Sequence, residues 1–261
     1  MLAIALTIAG SDPSGGAGLE ADLKTFHQFR VYGEAVVTLV TVQNTRSVSR
    51  VEIMTPELVR EQIFAVLSDM PPQAAKTGAL GSAAVVEAVA ETARDFPFPL
   101  VVDPVMISKH GSSLISVEAG ESLKRKLLPH CLLVTPNIPE AEALSGLAIR
   151  SELDMEEAAK RIAGLGARSV LIKGGHLEGR PVDLLYSPTG VRRYVGERVA
   201  SRHTHGTGCT YSAAITAGLA QSLSLEAAVG RAKRFVQAAI ESAPGLGGGN
   251  GPVNHFAAVE P

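Results

Sequence analysis

Short apolar runs alternate with amphipathic stretches along most of this chain, and that alternation leaves few folds open. The runs cover residues 2–9, 35–42, 73–76, 100–102, 132–135 and 170–173. Helical patterns fall at 19–29, 57–68, 83–94, 116–127 and 155–165. Apolar strands separated by helices pack as a parallel sheet covered on both faces, because each crossover helix must bury its apolar stripe on the sheet. Leu19, Leu23 and Phe26 form one such stripe. Thr55-Pro56 reads as an N-cap followed by proline at the first helical position, and Gly164 and Gly166 can end the helix before Val170. Residues 183–186 and 192–195 flank Ser187-Pro188-Thr189-Gly190, a hairpin turn that adds an antiparallel edge. Helices at 208–221 and 225–242 close the fold, and the glycine-rich stretch 245–251 reads as flexible. No linker or repeat divides the chain. The expectation is one domain over 1–261, a three-layer α/β/α fold with a mostly parallel sheet and an antiparallel edge hairpin.

Composition narrows the classes of function. Hydrophobic residues make up 46% of 261, enough for a large globular core. Net charge is −2 and there is no basic stripe, which argues against a nucleic-acid partner; the absence of Trp leaves little for base stacking. Residues 1–9 resemble a short secretory core but lack a positive lead, so they read as a buried strand. No apolar run reaches membrane-spanning length, so no membrane association is expected. Two cysteines make no disulfide framework, which fits a cytoplasmic location.

Open α/β sheets bind ligands beyond the carboxyl ends of their strands. Polar and glycine-rich residues follow the strand candidates here: Gly10 to Gly18, Gln43-Asn44-Thr45, Asp103-Pro104, Asn137 to Glu140, and Lys173-Gly174-Gly175-His176. The first loop has neither the GxGxxG spacing of a dinucleotide site nor the Lys-Ser/Thr of a Walker A loop. Its glycines, Gly15, Gly16 and Gly18, let backbone approach a ligand closely. Asp12 could bind a ligand hydroxyl or cap the following helix. Asn137 and Glu140 lie one helical turn apart and could hold a hydrated Mg²⁺; by spacing alone an N-cap with a first-turn acid is the favoured reading, because caps are so common. Asp103, a second carboxylate at a strand end, favours the ion. Lys173 ends an apolar strand and could neutralise a nucleotide phosphate.

The segment from His203 to Thr210 is a glycine turn running into the small-residue helix Tyr211-Ser212-Ala213-Ala214-Ile215. Backbone N–H groups of Gly206, Gly208 and Cys209 would converge at the positive end of a helix dipole, a site for an anionic oxygen. Cys209 at a helix start should have a lowered pKa and raised reactivity, whereas Cys131 in a strand should be inert. His203, His205 and Cys209 match no closed zinc pattern. An anion site beside a candidate base suits phosphoryl transfer to a hydroxyl.

The segments GSDPSGGAGLEADLKTF, QNT, VVDPVM, TPNIPEAEAL, IKGGH and HTHGTGCTYSAAI resemble, in order, the bacterial hydroxymethylpyrimidine/phosphomethylpyrimidine kinases of thiamine synthesis, within the ribokinase-like superfamily. The resemblance spans residues 10–215. It implies a Rossmann-like fold, a homodimer, and ATP- and Mg²⁺-dependent phosphorylation of an aminopyrimidine hydroxymethyl group and then of its monophosphate. It implies that Gln43, Asp12 and Ala17 meet the substrate, and that Cys209 serves as base or anchor for the hydroxyl, with Gly206 and Gly208 at the transferring phosphoryl. It also implies that Asp103, Asn137, Glu140, Lys173 and Thr207 meet ATP, and that Asp103 and Glu140 meet Mg²⁺. One departure is Ala79, where the family often has Met; a roomier pocket makes pyridoxal an alternative acceptor. The segment around Lys109-His110-Gly111 is a lid candidate. A nicotinamide-dependent oxidoreductase is disfavoured by the missing fingerprint. A non-catalytic binding protein is disfavoured by Asp103, Asn137, Glu140, Lys173 and Cys209 occurring together.

Overall fold

The computed structural model describes residues 2–106, 116–177 and 179–260. Its strands are β1 (Ile4–Ser11), β2 (Tyr32–Gln43), β3 (Val48–Ile53), β4 (Ala74–Thr77), β5 (Leu100–Val102), β6 (Leu133–Val134), β7 (Val170–Ile172), β8 (Val182–Ser187) and β9 (Gly190–Val195). The helices are α1 (Gly18–Gln28), α2 (Pro56–Asp69), α3 (Ala83–Ala93), α4 (Val117–Ser122), α5 (Ile138–Ser145), α6 (Glu152–Ala163), α7 (Thr207–Ala220) and α8 (Leu225–Glu241). One nine-stranded sheet runs in the order β3-β2-β1-β4-β5-β6-β7-β8-β9. The strands from β2 to β7 are parallel. The expected hairpin β8–β9 closes one end in antiparallel register.

The other end is also antiparallel, which the apolar pattern does not anticipate. β3 pairs with β2, Val40 opposite Glu52 and Val42 opposite Arg50. β3 is exposed along nearly its whole length, so it carries no apolar run for a pattern to detect. β2 also extends beyond the expected 35–42 at both ends.

The sheet buries both faces. On one side Leu6, Ile8, Leu100, Val102 and Val134 pack with residues of α2, α3, α5 and α6. On the other, Ala5, Val101, Leu133 and Leu171 pack against α1, α7 and α8. The two-residue strand period explains the division, with Val101 facing one layer and its neighbours Leu100 and Val102 the other. Burying each large side chain contributes about 1.5–3 kcal/mol relative to exposing it. α7 is buried on nearly every side, and Gly218 lets α8 close on it: a Cβ there would lie 2.9 Å from the Ala228 Cβ.

Local signals are realised with small shifts. Thr55 caps α2 by accepting from the Leu58 N–H, with Pro56 inside the first turn. Ser151 caps α6, which therefore starts before the expected residue 155. The pattern at 116–127 splits into α4, capped by Ser116, and a π-helical turn over Leu123–Leu127. The glycine-rich stretch 245–251 is tied down instead of free. Asn250 N–H donates to the Thr45 carbonyl at 2.8 Å, and His205 N–H to the Gly251 carbonyl at 3.0 Å. Low side-chain content there serves close packing: a Cβ on Gly249 would lie 2.0 Å from the Thr45 carbonyl oxygen.

Candidate active site

Because the central strands are parallel, their carboxyl ends open on one edge, and the two glycine loops meet there. Gly206 precedes α7 with φ +78°, and a Cβ on it would lie 1.8 Å from the Gly16 carbonyl oxygen. Gly18 has φ +57°, and its Cβ would lie 2.2 Å from the Gly10 carbonyl oxygen. These glycines let backbone approach backbone, and both also border the adjoining cavity. Alanine at 206 would add about 1–3 kcal/mol of backbone strain to that clash. Gly206→Ala should lower the urea midpoint clearly, whereas Gly175→Ala, with no atom within 4 Å of its Cβ, should leave it nearly unchanged.

A cavity of about 720 Å³ lies where the loops meet, a size suited to a small-molecule site. Its wall includes Asp12, Ala17, Gln43, Asp103, Asn137, Glu140, Lys173, Gly206, Thr207, Gly208 and Cys209. Every site residue expected from the sequence thus borders one space. Ala79 borders it as well. The lid candidate around Lys109-His110-Gly111 lies outside the described residues.

At the mouth of α7 the amides of Gly208 and Cys209 fall in the first turn, where no intrahelical acceptor is available. Thr207 is committed within the turn: its hydroxyl donates to the Thr204 carbonyl at 2.7 Å, and its amide points at the same oxygen at 3.3 Å. Beside Gly208 sit Lys173 and Asp103; a Cβ on that glycine would lie 3.4 Å from the Lys173 Nζ and 3.7 Å from an Asp103 oxygen. Lys173 Nζ donates to Asp103 at 3.2 Å. Burial works against the Lys173 ammonium, but Asp103 and Glu140 more than offset this and hold its pKa above the ordinary lysine value.

Asn137 and Glu140 form a reciprocal capping box on α5, each side chain accepting from the other's backbone N–H at 2.9 and 2.8 Å. The simpler reading of their spacing is therefore realised, though both still border the cavity. Burial, with Asp103 nearby, pushes Glu140 above the usual carboxylate range despite Lys173. The donor set fits Mg²⁺: two carboxylates of hard oxygen face a space large enough for waters and phosphates, and this ion takes few protein ligands. Among the described residues no group of three His, Cys, Asp or Glu is placed to hold a metal alone.

Two expectations fail on physical grounds. Burial pushes the Cys209 thiol up to about 12 against the pull of Lys76, with Asp22 and Asp103 adding to the rise. Desolvation thus outweighs the helix start that was expected to lower it. Cys209 is only partly buried as a residue and borders the cavity. Asp12 neither caps α1 through an ordinary N-cap position nor stands free for a hydroxyl. One oxygen accepts from Ser14 N–H and Oγ at 2.9 and 2.7 Å, and the other from Ala17 N–H at 3.0 Å. That second oxygen also lies 2.7 Å from His205 Nε2. Burial would raise Asp12, but the bonds from His205 and Ser14 win and hold it below the usual value. Cys131 is buried and pushed up to about 12, in keeping with an inert role.

Lys76 was missed by sequence reasoning. It is fully buried on β4, and its Nζ donates to Asp22 of α1 at 2.7 Å. Thr7 Oγ1 donates to the other Asp22 oxygen at 2.6 Å. The lysine carries this charge just under the cavity floor: a Cβ on Gly78 would lie 3.9 Å from Nζ. A charged residue ending an apolar run was the available signal.

Comparison with known proteins agrees with this geometry. The family model described as phosphomethylpyrimidine kinase matches residues 12–254. A thiamine biosynthesis bifunctional protein from Geobacter sulfurreducens is 49% identical over 257 residues, 98% of this chain; the chain spans 52% of that longer protein. A hydroxymethylpyrimidine/phosphomethylpyrimidine kinase from Bacillus subtilis is 45% identical, covering 97% of this chain and 94% of its own length. Among solved structures, an ADP complex of Bacillus subtilis pyridoxal kinase superposes with a TM-score of 0.90 at 37% identity, over 98% of each chain. The fold is therefore ribokinase-like, and the chain belongs to the phosphomethylpyrimidine kinase family.

Proposed function

We propose that this chain transfers the terminal phosphoryl group of ATP to the hydroxymethyl group of 4-amino-5-hydroxymethyl-2-methylpyrimidine, and then phosphorylates the monophosphate to the pyrophosphate used in thiamine biosynthesis. The observation that carries this is the single cavity in which the α7 amides, the Lys173–Asp103–Glu140 cluster, Cys209 and Gln43 meet. Relatives named for both reactions support it, and an ADP complex of a structural neighbour supports the nucleotide. ATP with Mg²⁺ supplies the phosphoryl group and offsets its charge.

The chain's own residues do the positioning. Gly208 and Cys209 donate their amides to the migrating phosphoryl oxygens, with Gly206 shaping the turn. Lys173 neutralises nucleotide phosphate, and Asp103 and Glu140 would hold the ion. Asn137 keeps Glu140 in place through the capping box, and Thr207 braces the turn beneath the nucleotide. With burial pushing its thiol up to about 12, Cys209 is assigned the role of anchoring the hydroxyl by accepting its hydrogen bond. In a loose transition state little charge builds on the attacking oxygen, and its proton can leave late, passing to an oxygen of the transferred phosphoryl group or to water as the bond to ADP breaks. Ala17, beside the first glycine loop, contributes backbone surface to the ring.

Gln43 offers a donor and an acceptor to the amino group and adjacent ring nitrogen. Gln43→Leu would leave both unpaired in the pocket. We expect KM for the pyrimidine to rise at least about tenfold, roughly 1.4 kcal/mol, with KM for ATP unchanged. Steady-state kinetics checks this, and an unaltered pyrimidine KM removes Gln43 from the site.

Pyridoxal is the second reading, favoured by Ala79 on the cavity wall and by the pyridoxal kinase neighbour. A homodimer is supported by apolar side chains exposed on β2 and the edge strand β3, Val40 and Val42 on one face of the ribbon and Val51 and Ile53 on the other. A cytoplasmic location fits the two cysteines, both unpaired. No helix among the described residues is long and apolar enough to cross a membrane. The deciding experiment for the reaction is ADP formation from Mg-ATP with each candidate acceptor.

A further inference from the structure

His205 Nε2 lies between two partners: 2.7 Å from an oxygen of Asp12 and 3.2 Å from the side-chain amide of Gln43. All three residues border the cavity, and His205 and Asp12 are almost fully buried. The ring cannot move far. Its backbone is bonded to Gly251 and Val253, and its Cδ2 lies where a Cβ on Gly16 would come within 2.6 Å. Asp12 is equally fixed by Ser14 and Ala17.

Donor and acceptor chemistry then determines the hydrogens. An ionised carboxylate only accepts, so the short contact to Asp12 requires a hydrogen on Nε2 in either charge state of the ring. A Gln43 NH₂ facing that hydrogen would oppose two donors. The amide must therefore turn its Oε1 toward His205 and its NH₂ away.

We propose that Asp12 and His205 are positioning residues that fix which way round Gln43 presents its donor and acceptor to the ring in the cavity. This rests on the reading of Gln43 as the residue that meets the pyrimidine. Held in this sense, the amide matches a ligand edge that pairs an amino donor with an unprotonated ring nitrogen, in one order along the edge. The 4-oxo analogue, with a ring N–H and a carbonyl oxygen, presents the reverse order and is rejected. The same constraint fixes the ring's orientation and so keeps the hydroxymethyl arm directed at Cys209.

The test compares kcat/KM for the 4-amino substrate and its 4-oxo analogue in the full-length protein. The amino:oxo ratio should fall at least about tenfold in His205→Phe, where the amide is free to turn over. It should largely return in His205→Gln, whose side-chain amide can again donate to both partners. Equal losses on both substrates, with the ratio unchanged, would mean that His205 only supports the fold, and would overturn the proposal. The ¹⁵N signature of the His205 ring in the wild-type protein gives a readout independent of turnover and of variant folding. A hydrogen on Nε2 supports the proposal, and a neutral ring protonated only on Nδ1 overturns it. Should the wild-type protein phosphorylate neither ring, the kinase reading fails, and the nitrogen signature alone decides how Gln43 is oriented.

Discussion

Lys76→Met should be the most destabilising single change in the site region, costing about 3–5 kcal/mol, the range for breaking one side of a buried ion pair. Lys76 and Asp22 have no solvent-exposed side-chain surface. Removing the ammonium leaves a carboxylate with Thr7 Oγ1 as its remaining partner. Burial alone would lower Lys76, but the Asp22 carboxylate bonded to it holds it above its ordinary value. The loss is large beside the roughly 5–15 kcal/mol that holds a typical domain together. Removing both charges together, as in Asp22→Leu with Lys76→Met, should recover most of it, because two apolar groups leave no orphaned charge. Urea unfolding of the single and double variants measures this. A single variant as stable as the parent would show that the pair is not desolvated.

Cys209→Ala should lower kcat about a hundredfold while KM for ATP stays within a few-fold. Misplacing a reacting group by about 1 Å can cost that much, and the role assigned to the sulfur is toward the acceptor hydroxyl and not the nucleotide. Cys209→Ser should recover part of the loss, since a hydroxyl also accepts a hydrogen bond. The thiol pushed up to about 12 adds a chemical signature. Alkylation by iodoacetamide should be slow near neutral pH and should rise about tenfold per pH unit, because only the thiolate reacts. A plateau near pH 7 would mean that the helix start, and not burial, controls the sulfur.

The parallel sheet, the edge hairpin and the gathering of site residues were legible because they depend on local pattern and on strand ends. Asp103 and Lys173 sit at the ends of apolar runs, and parallel strands deliver such residues to one edge; the α7 glycines are legible as a turn running into a small-residue helix. What was illegible depends on contacts between distant segments. β3 joins the sheet as an exposed strand with no apolar signature. The Lys76–Asp22 pair links residues 54 apart, and nothing in either neighbourhood names the other. The Cys209 pKa follows from how deeply α7 is packed, which a turn motif does not encode. The glycines of the first loop read as bringing backbone near a ligand, yet Gly18 packs on the Gly10 carbonyl and Gly16 on the second glycine loop at His205 and Gly206. The stretch 245–251 looked free by composition because glycine serves flexible segments and close-packed ones alike.

The central claim is that the cavity aligns a pyrimidine hydroxymethyl group with the α7 amides for phosphoryl transfer. Its most direct test is the ratio of kcat/KM for hydroxymethylpyrimidine and pyridoxal, with ADP release and phosphorylated product followed together under Mg-ATP. A clear preference for the pyrimidine is expected, with a second ADP released per ring as monophosphate becomes pyrophosphate. A preference for pyridoxal, or nucleotide left intact with the pyrimidine present, would contradict it.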